Sequence, residues 1–162
     1  LFGMYEMSVG RGSNFLINIG PDNRGLLPDA DVKRILELGA RIKAAYENPA
    51  NFGEFERQGD TYTITHNEQA PTDEWKKPEE RKLTNCVMIK EDLTDGQKVT
   101  SFSIYGYLPA YRHVKVLLFE GKTIGHKVIC KFSPMRASKY EVVINSYDGD
   151  YKIKDIKAFY AK

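Results

Sequence analysis

Pairs of carboxylic acids are the residues of this chain that could do chemistry most directly. Acidic neighbours stand at Glu79-Glu80 and at Glu91-Asp92, and Asp29 and Asp31 are close in sequence. Two carboxyl groups that face one glycosidic bond can act as acid and as base or nucleophile in its hydrolysis. A catalytic acid also needs a cleft that shifts its pKa. All three pairs lie in charged stretches, so the sequence predicts solvated surface for each of them.

Metal ligands and reactive thiols are not indicated. The histidines, His66, His113 and His126, are widely separated, and neither i, i+4 helical spacing nor a Cys-X-X-Cys motif marks a zinc site. Cys86 and Cys130 each lie in an apolar, strand-like run. This favours two buried free thiols, and one cross-strand disulfide is the alternative.

Four residues are candidates for binding a sugar or another ligand: Trp75, Tyr107, Tyr111 and His113. The aromatic rings could stack on a sugar ring, and the run from Tyr111 to His113 is the best loop candidate for a ligand. Aromatic side chains also fill the cores of β-sandwiches, and packing in the core or anchoring of loops is the favoured interpretation.

A glycine-rich loop, Gly10-Arg11-Gly12, precedes the apolar run at residues 15–19. A nucleotide-binding fingerprint has its glycines after a strand and before a helix, so this order argues against a phosphate site. We interpret it as a structural loop that needs unusual backbone angles. The apolar run itself predicts a strand that is buried on both faces.

One amphipathic helix follows this strand. Asp29 is its predicted N-cap, and Asn48-Pro49 ends it, because the residue before proline is pushed out of the α region. Its apolar stripe consists of Val32, Ile35, Leu36, Gly39, Ile42 and Tyr46. Gly39 costs helix propensity, which predicts close packing against a neighbouring element.

Beyond residue 50 the period changes to short alternating runs separated by turn signals. The predicted strands are residues 61–65, 84–90, 98–105, 114–119, 123–132, 140–145 and 151–160. Strands at this spacing favour an antiparallel β-sandwich. We therefore predict a mainly β protein with two domains: a strand-turn-helix unit at residues 1–50 and a β-sandwich at residues 51–162.

Composition excludes two classes of partner. The net charge is +2, from 24 basic and 22 acidic residues, and a nucleic-acid-binding protein would normally carry a basic stripe. No run approaches the roughly 18 apolar residues of a membrane span. The chain starts without an initiator Met or a signal-peptide pattern, and we expect it to be the tail of a longer protein.

The sequence of the first segment resembles a known family of enzymes. Residues 8–22 read SVGRGSNFLINIGPD, and Arg24-Gly25-Leu26-Leu27-Pro28 follows. This run is similar to the last barrel strand of family 29 α-L-fucosidases, where G-x-N-L-L-L-N-I-G-P-D-x-x-G precedes the helix that closes a (β/α)₈ barrel. Residues 85–93, 96–99 and 123–127 resemble the same family's C-terminal sandwich, which has a galactose-binding-like fold related to discoidin.

The resemblance implies that the parent protein hydrolyses terminal α-linked L-fucose from glycans with retention, without a metal or organic cofactor. Its Asp nucleophile and its acid/base come from earlier barrel strands, so no catalytic residue is expected in this chain. Asn18 lies near the C-terminal end of the predicted last strand, where barrel enzymes build their sites. A structural hydrogen bond within the barrel is the favoured role for Asn18.

Two roles remain open for the sandwich within such an enzyme. It is a stabilising module that shields the barrel flank, which is the favoured interpretation, or it is a carbohydrate-binding module of discoidin-like fold. The expected partners are the remainder of the parent protein and, through the missing barrel, a fucosylated glycan. Periplasmic or secreted localisation fits the family. Without their barrel neighbours, Phe15, Leu16, Ile17 and Ile19 should be disordered, be covered by a partner chain, or drive association.

Overall fold

The computed structural model of the protein describes residues 1–67, 83–108 and 114–161. These residues form two helices followed by eight strands. The helices are α1 (Phe2–Ser8) and α2 (Asp29–Tyr46). The strands are β1 (Glu56–Gln58), β2 (Thr61–Thr65), β3 (Thr84–Glu91), β4 (Val99–Leu108), β5 (Val114–Gly121), β6 (Val128–Met135), β7 (Lys139–Tyr147) and β8 (Ile153–Phe159).

The strands build two antiparallel sheets that pack face to face. The larger sheet has the order β1-β2-β7-β4-β5, and the smaller one has the order β6-β3-β8. This arrangement confirms the predicted β-sandwich. Seven of the eight strands overlap predicted runs, and β2 has the predicted bounds.

The core between the sheets follows from alternation along each strand. In β7, Tyr140, Val142 and Ile144 are buried, whereas Glu141 and Val143 are half-buried. β7 lies between β2 and β4 in the centre of its sheet, which explains why apolar Val143 occupies an outward position. The end of β5 fits closely against this core: a Cβ added to Gly121 would lie 2.4 Å from the ring of buried Phe102.

The smaller sheet is covered on its outer face by the helices. In β3, Val87 and Ile89 face the core between the sheets, and Cys86 and Met88 face α1 and α2. The second hydrophobic cluster, which we call the helix–sheet cluster, is made of residues from both helices and all three strands of the smaller sheet. Its buried members are Tyr5, Ala45, Cys86, Met88, Ile129, Phe159 and Ala161.

The predicted strand at residues 15–19 is not formed. These residues belong to no strand, and the Leu16 side chain is 92% exposed. A strand needs partners for its backbone N–H and C=O groups, and none of the described segments pairs with it. The prediction was therefore wrong for this chain: Leu16 and Ile17 are exposed, whereas Phe15 is half-buried and packs against the helix–sheet cluster.

The glycine-rich loop has the structural role that was predicted. Gly12 has a φ of +79°, which favours glycine. A Cβ on Gly10 would lie 2.3 Å from the carbonyl oxygen of Glu6, in the α1 helix that the sequence did not predict. The loop thus turns the chain sharply after α1.

Helix α2 confirms the predicted helix but differs in its packing. Pro28 occupies the N-cap position, and Asp29 is the first helical residue, so the predicted cap was wrong by one residue. Gly39 has open space around it, which contradicts the predicted close packing. Only the C-terminal half of the stripe, at Ile42 and Tyr46, packs on the helix–sheet cluster.

Candidate functional site

The end of the sandwich that carries Tyr107 contains a compact charged cluster. Tyr107, near the end of β4, lies beside the start of β7 and the start of β5. Its hydroxyl donates a hydrogen bond of 2.8 Å to Oε2 of Glu141. Lys115 Nζ donates to the same oxygen at 2.8 Å, and Lys139 Nζ donates to Oε1 at 2.9 Å. We call these four residues the Glu141 cluster.

Contacts within the Glu141 cluster determine the protonation states of its members. Burial alone would raise the pKa of Glu141, but the hydrogen bonds from Lys115, Lys139 and Tyr107 outweigh it and lower this pKa to about 2. Burial and the bond to Glu141 raise the pKa of Tyr107, and the same carboxylate raises the pKa of Lys115. Glu141 is therefore a fixed carboxylate at neutral pH, which is unsuitable for a general acid.

The ring of Tyr107 is already covered by cations. Lys139 Nζ lies 4.0 Å from the ring centroid, and Lys115 Nζ lies 5.9 Å from it. A sugar that stacks on the ring face beside Lys139 would have to displace its ammonium group from a favourable cation–π contact. Trp75, Tyr111 and His113 lie outside the described residues, so a sugar site that includes them stays a prediction.

Asn18 lies in the segment that forms no strand. Its side chain is exposed and takes part in none of the hydrogen bonds found within the described part of the chain. The structural hydrogen bond predicted for Asn18 would need a barrel, so it stays a prediction.

One carboxylate contradicts the prediction of solvated surface. Glu91 is 3% exposed, and its two oxygens accept hydrogen bonds from three backbone N–H groups. The donors are Lys98 at 2.7 Å, Val99 at 2.9 Å and Gly125 at 3.1 Å. Glu91 therefore ties the end of β3 to the start of β4 and to the loop before β6, which is a structural role.

The remaining predictions about carboxylates and thiols agree with the structure wherever it describes these residues. Asp29 and Asp31 are exposed, and Glu79-Glu80 lies outside the described residues. Cys86 and Cys130 are buried free thiols, as predicted, and the alternative disulfide is contradicted. Cys130 pairs with Val87 across the β3–β6 ladder, so the two thiols point to opposite faces of the smaller sheet.

Within residues 1–67, 83–108 and 114–161, no group of His, Cys, Asp and Glu side chains is arranged to hold a metal ion. Neither of the two helices found there is long and apolar enough to cross a membrane.

The contact between the helices and the sandwich is partly ionic. Glu6 of α1 accepts a 2.5 Å hydrogen bond from the hydroxyl of Tyr46 and pairs with Lys131 of β6 at 2.6 Å. Burial, and then the bond to Glu6, raises the pKa of Tyr46, so this hydroxyl stays a donor. Lys127 Nζ donates to the hydroxyl of Tyr5 at 3.0 Å. These bonds satisfy polar groups at the edge of the helix–sheet cluster.

A pocket that was not predicted lies at the end of the sandwich opposite to the Glu141 cluster; we call it the second pocket, because the Glu141 cluster is the first candidate site. Its volume is about 470 Å³, and loops 92–98 and 147–152 supply most of its lining. The sequence placed Tyr151 in a strand and the neighbouring aspartates in turns. Their convergence depends on the pairing of β3 with β8 and of β4 with β7, which alternation within one strand does not reveal.

Comparison with solved structures places this fold beside family 29 glycoside hydrolases. A candidate α-L-fucosidase from Bacteroides ovatus is 26% identical with a TM-score of 0.77, over 99% of this chain and 26% of that one. A candidate α-L-fucosidase from Bacteroides thetaiotaomicron is 22% identical with a TM-score of 0.81, over 99% and 33%. The Ruminococcus gnavus family 29 fucosidase in complex with fucose is 20% identical with a TM-score of 0.75, over 99% and 36%.

These likenesses confirm the resemblance to family 29 that the sequence motifs carry, and the chain spans about a third of the length of such enzymes. No protein-family model matches the chain, and no curated protein sequence matches it either.

Proposed function

We propose that this chain is the C-terminal part of an α-L-fucosidase, in which the β-sandwich supports a catalytic barrel. The observation that carries the proposal is the extent of the structural likeness. Nearly all of the chain superimposes on family 29 enzymes, one of them in complex with fucose, and about two thirds of each such enzyme has no counterpart here.

The hydrogen bonds that occupy Glu91 and Glu141 support the proposal that the catalytic residues lie outside this chain. A retaining glycosidase needs two carboxyl groups about 5 Å apart that face the scissile bond. Glu91 is saturated by backbone N–H groups, and Glu141 is held by two lysines and a tyrosine. In the proposed enzyme, the nucleophile and the acid/base come from upstream barrel strands, and neither a metal nor an organic cofactor takes part.

Exposed apolar side chains within residues 1–50 also support the proposal. Leu16 is 92% exposed, Leu36 is 68% exposed, and Leu26 is 57% exposed. Burying a leucine contributes about 1.5–3 kcal/mol, so this surface favours a covering partner. In the proposed enzyme, the upstream barrel covers it, while the helix–sheet cluster joins the barrel to the sandwich.

The substrate of the proposed enzyme is a glycan with terminal α-linked L-fucose. A periplasmic or secreted location fits this class of substrate. The sandwich contributes to this activity through the stability of the barrel.

The test compares this chain with the same protein extended upstream to the length of the solved fucosidases. We expect the extended protein to release 4-nitrophenol from 4-nitrophenyl α-L-fucoside and the 162-residue chain to release none. Turnover by the short chain that survives repurification would refute the assignment of catalysis to the barrel. An extended protein that folds and has no fucosidase activity would refute the proposed substrate.

A further inference from the structure

The second pocket is a candidate ligand site at the end of the sandwich opposite to the Glu141 cluster. Its volume of about 470 Å³ lies within the range of ligand-binding pockets. The segments that form it, loops 92–98 and 147–152, are joined by backbone hydrogen bonds. Asp92 N donates to the Lys152 carbonyl at 2.9 Å, and Asp148 N donates to the Lys98 carbonyl at 2.9 Å.

An exposed aromatic ring forms one wall of the pocket. Tyr147 is 46% exposed, and its ring centroid lies 4.6 Å from that of Tyr151. Tyr151 is buried, its hydroxyl donates to Asp60 at 2.8 Å, and the guanidinium of Arg57 lies 5.2 Å from its ring centroid. The exposed Tyr147 ring thus contacts a buried neighbour, which lowers the entropy cost of ordering this ring against a ligand.

The remaining lining is polar and its charges balance. Three aspartates, Asp92, Asp95 and Asp150, face three cations, Arg57, Lys98 and Lys152. An anionic ligand such as a phosphate would meet the carboxylates, and a cationic ligand would meet the lysines. Charged side chains of both signs can instead donate to and accept from the hydroxyl groups of a neutral ligand.

Part of this polar lining is preorganised. Oδ1 of Asp92 accepts hydrogen bonds from the Thr94 hydroxyl at 2.6 Å and from the Thr94 N–H at 3.1 Å. These bonds hold the pKa of Asp92 below its usual value, so the carboxylate is charged at neutral pH. Its second oxygen makes no hydrogen bond within the described residues and is available to accept from a ligand.

We propose that this pocket binds a neutral saccharide of one or two rings, which stacks on Tyr147 and bonds through its hydroxyl groups to Asp92, Asp150 and Lys98. An aromatic face beside charged hydrogen-bonding groups suits a sugar, because a pyranose presents C–H bonds on one face and hydroxyl groups around its edge. The site rests on the pocket geometry alone and is independent of the proposed fucosidase activity.

The test is a titration of the ¹⁵N-labelled 162-residue chain, followed by amide chemical shifts. The probes are methyl α-L-fucoside and lactose as neutral sugars, with inorganic phosphate as the anionic comparison. We expect millimolar binding of at least one sugar, with shifts concentrated in residues 92–98 and 147–152. Phosphate should leave these amides unchanged.

Variants make the result specific. Tyr147→Ala should weaken sugar binding about tenfold, as loss of an aromatic contact does. Tyr160→Ala is the matched control, because Tyr160 is 42% exposed and does not line the pocket, and it should leave the affinity unchanged. Asp150→Asn should also weaken binding without removing a packed group, which guards against a folding defect in Tyr147→Ala.

Three results would overturn the proposal. They are no shifts with either sugar at millimolar concentration, shifts confined to residues outside the two loops, and equal binding by Tyr147→Ala and the native chain. Phosphate binding at these loops as strong as sugar binding would overturn the assignment of a neutral ligand. None of these results bears on hydrolysis of the chromogenic fucoside by the extended protein.

Discussion

Replacement of Glu91 by glutamine tests how strongly one buried carboxylate holds the loops at one end of the sandwich. The carboxylate accepts from the N–H groups of Lys98 and Val99 on Oε1 and of Gly125 on Oε2. In Glu91→Gln, the amide oxygen can keep the first two donors, but the NH₂ group then faces the Gly125 N–H. One charge-assisted bond is lost, a buried N–H is left unsatisfied, and the two other bonds become neutral.

The expected cost follows from these three changes. A hydrogen bond to a charged group contributes about 1.5–3 kcal/mol, and an unsatisfied buried donor costs about 1–3 kcal/mol. Partial relaxation of the loop reduces the sum, and we expect Glu91→Gln to lower the free energy of unfolding by about 2–4 kcal/mol. Glu91→Ala removes all three bonds and leaves a cavity, so it should cost more.

Urea unfolding monitored by circular dichroism measures this difference at neutral pH. Glu120→Gln is the matched control, because Glu120 is exposed on β5 and its replacement should change the free energy of unfolding by less than about 0.5 kcal/mol. The reasoning is refuted if Glu91→Gln has an unchanged m-value and an unfolding free energy within about 0.5 kcal/mol of the native chain.

Three further predictions concern other parts of the sandwich. The pKa of Glu141 is about 2, whereas its ordinary value is 4.5. The ionised carboxylate therefore contributes to the free energy of unfolding above about pH 4.5, and this contribution is lost as the pH falls towards 2. That difference corresponds to about 3 kcal/mol, which solvent screening at partly exposed Lys115 and Lys139 reduces to about 1–2 kcal/mol. Urea midpoints at pH 6 and pH 3 should show part of this loss, because Glu141 is still largely ionised in the folded chain at pH 3, and Glu141→Gln should remove most of the difference; an equal loss in the variant would contradict the assignment. Gly121→Ala should lower the free energy of unfolding by about 1–3 kcal/mol, because the added Cβ would overlap the Phe102 ring. Gly39→Ala should instead stabilise α2 slightly, because Gly39 has open space around it. Similar urea midpoints for the two variants would count against the packing argument. Burial raises the pKa of Cys86 to about 11 and raises the pKa of Cys130 well above its ordinary value. Both thiols should therefore resist DTNB at pH 8 in the folded chain and react with it in urea. Rapid reaction without denaturant would show that the thiols are accessible.

Local periodicity was sufficient for elements whose burial follows from their own residues. The stripe that includes Ile42 and Tyr46 predicted α2, and the alternation of Tyr62 and Ile64 predicted β2. β1 was missed because its three residues, Glu56–Gln58, are all exposed and polar, so no pattern marks them.

Long-range contacts account for the errors at residues 15–19, at residues 123–127 and at Glu91. The run 15–19 has the pattern of a buried strand, but a strand forms only where partners are available, and this chain supplies none among its described residues. Residues 123–127 read as the start of a strand, yet Gly125 has a φ of +62° and turns to donate to Glu91. β6 therefore begins at Val128. The role of Glu91 depends on donors up to 34 residues away, which its charged neighbours in sequence conceal.

Candidate site residues were harder to predict than the fold. Tyr107 was selected for its aromatic ring, but the cations over that ring come from β5 and β7. Tyr147 and Asp150 of the second pocket were not selected, because they lie within or beside an ordinary turn in the sequence. Only the two-sheet topology brings them opposite loop 92–98.

Strand β3 belongs to both hydrophobic clusters, and this has a consequence for the dynamics of the chain. Val87 and Ile89 pack on one side of it, Cys86 and Met88 pack on the other, and β6 and β8 occupy both of its hydrogen-bonding edges. Its amide protons can therefore reach solvent only when both clusters come apart together. β3 should be the slowest-exchanging segment in deuterium, and loosening of the helices should speed exchange in this strand deep within the sandwich.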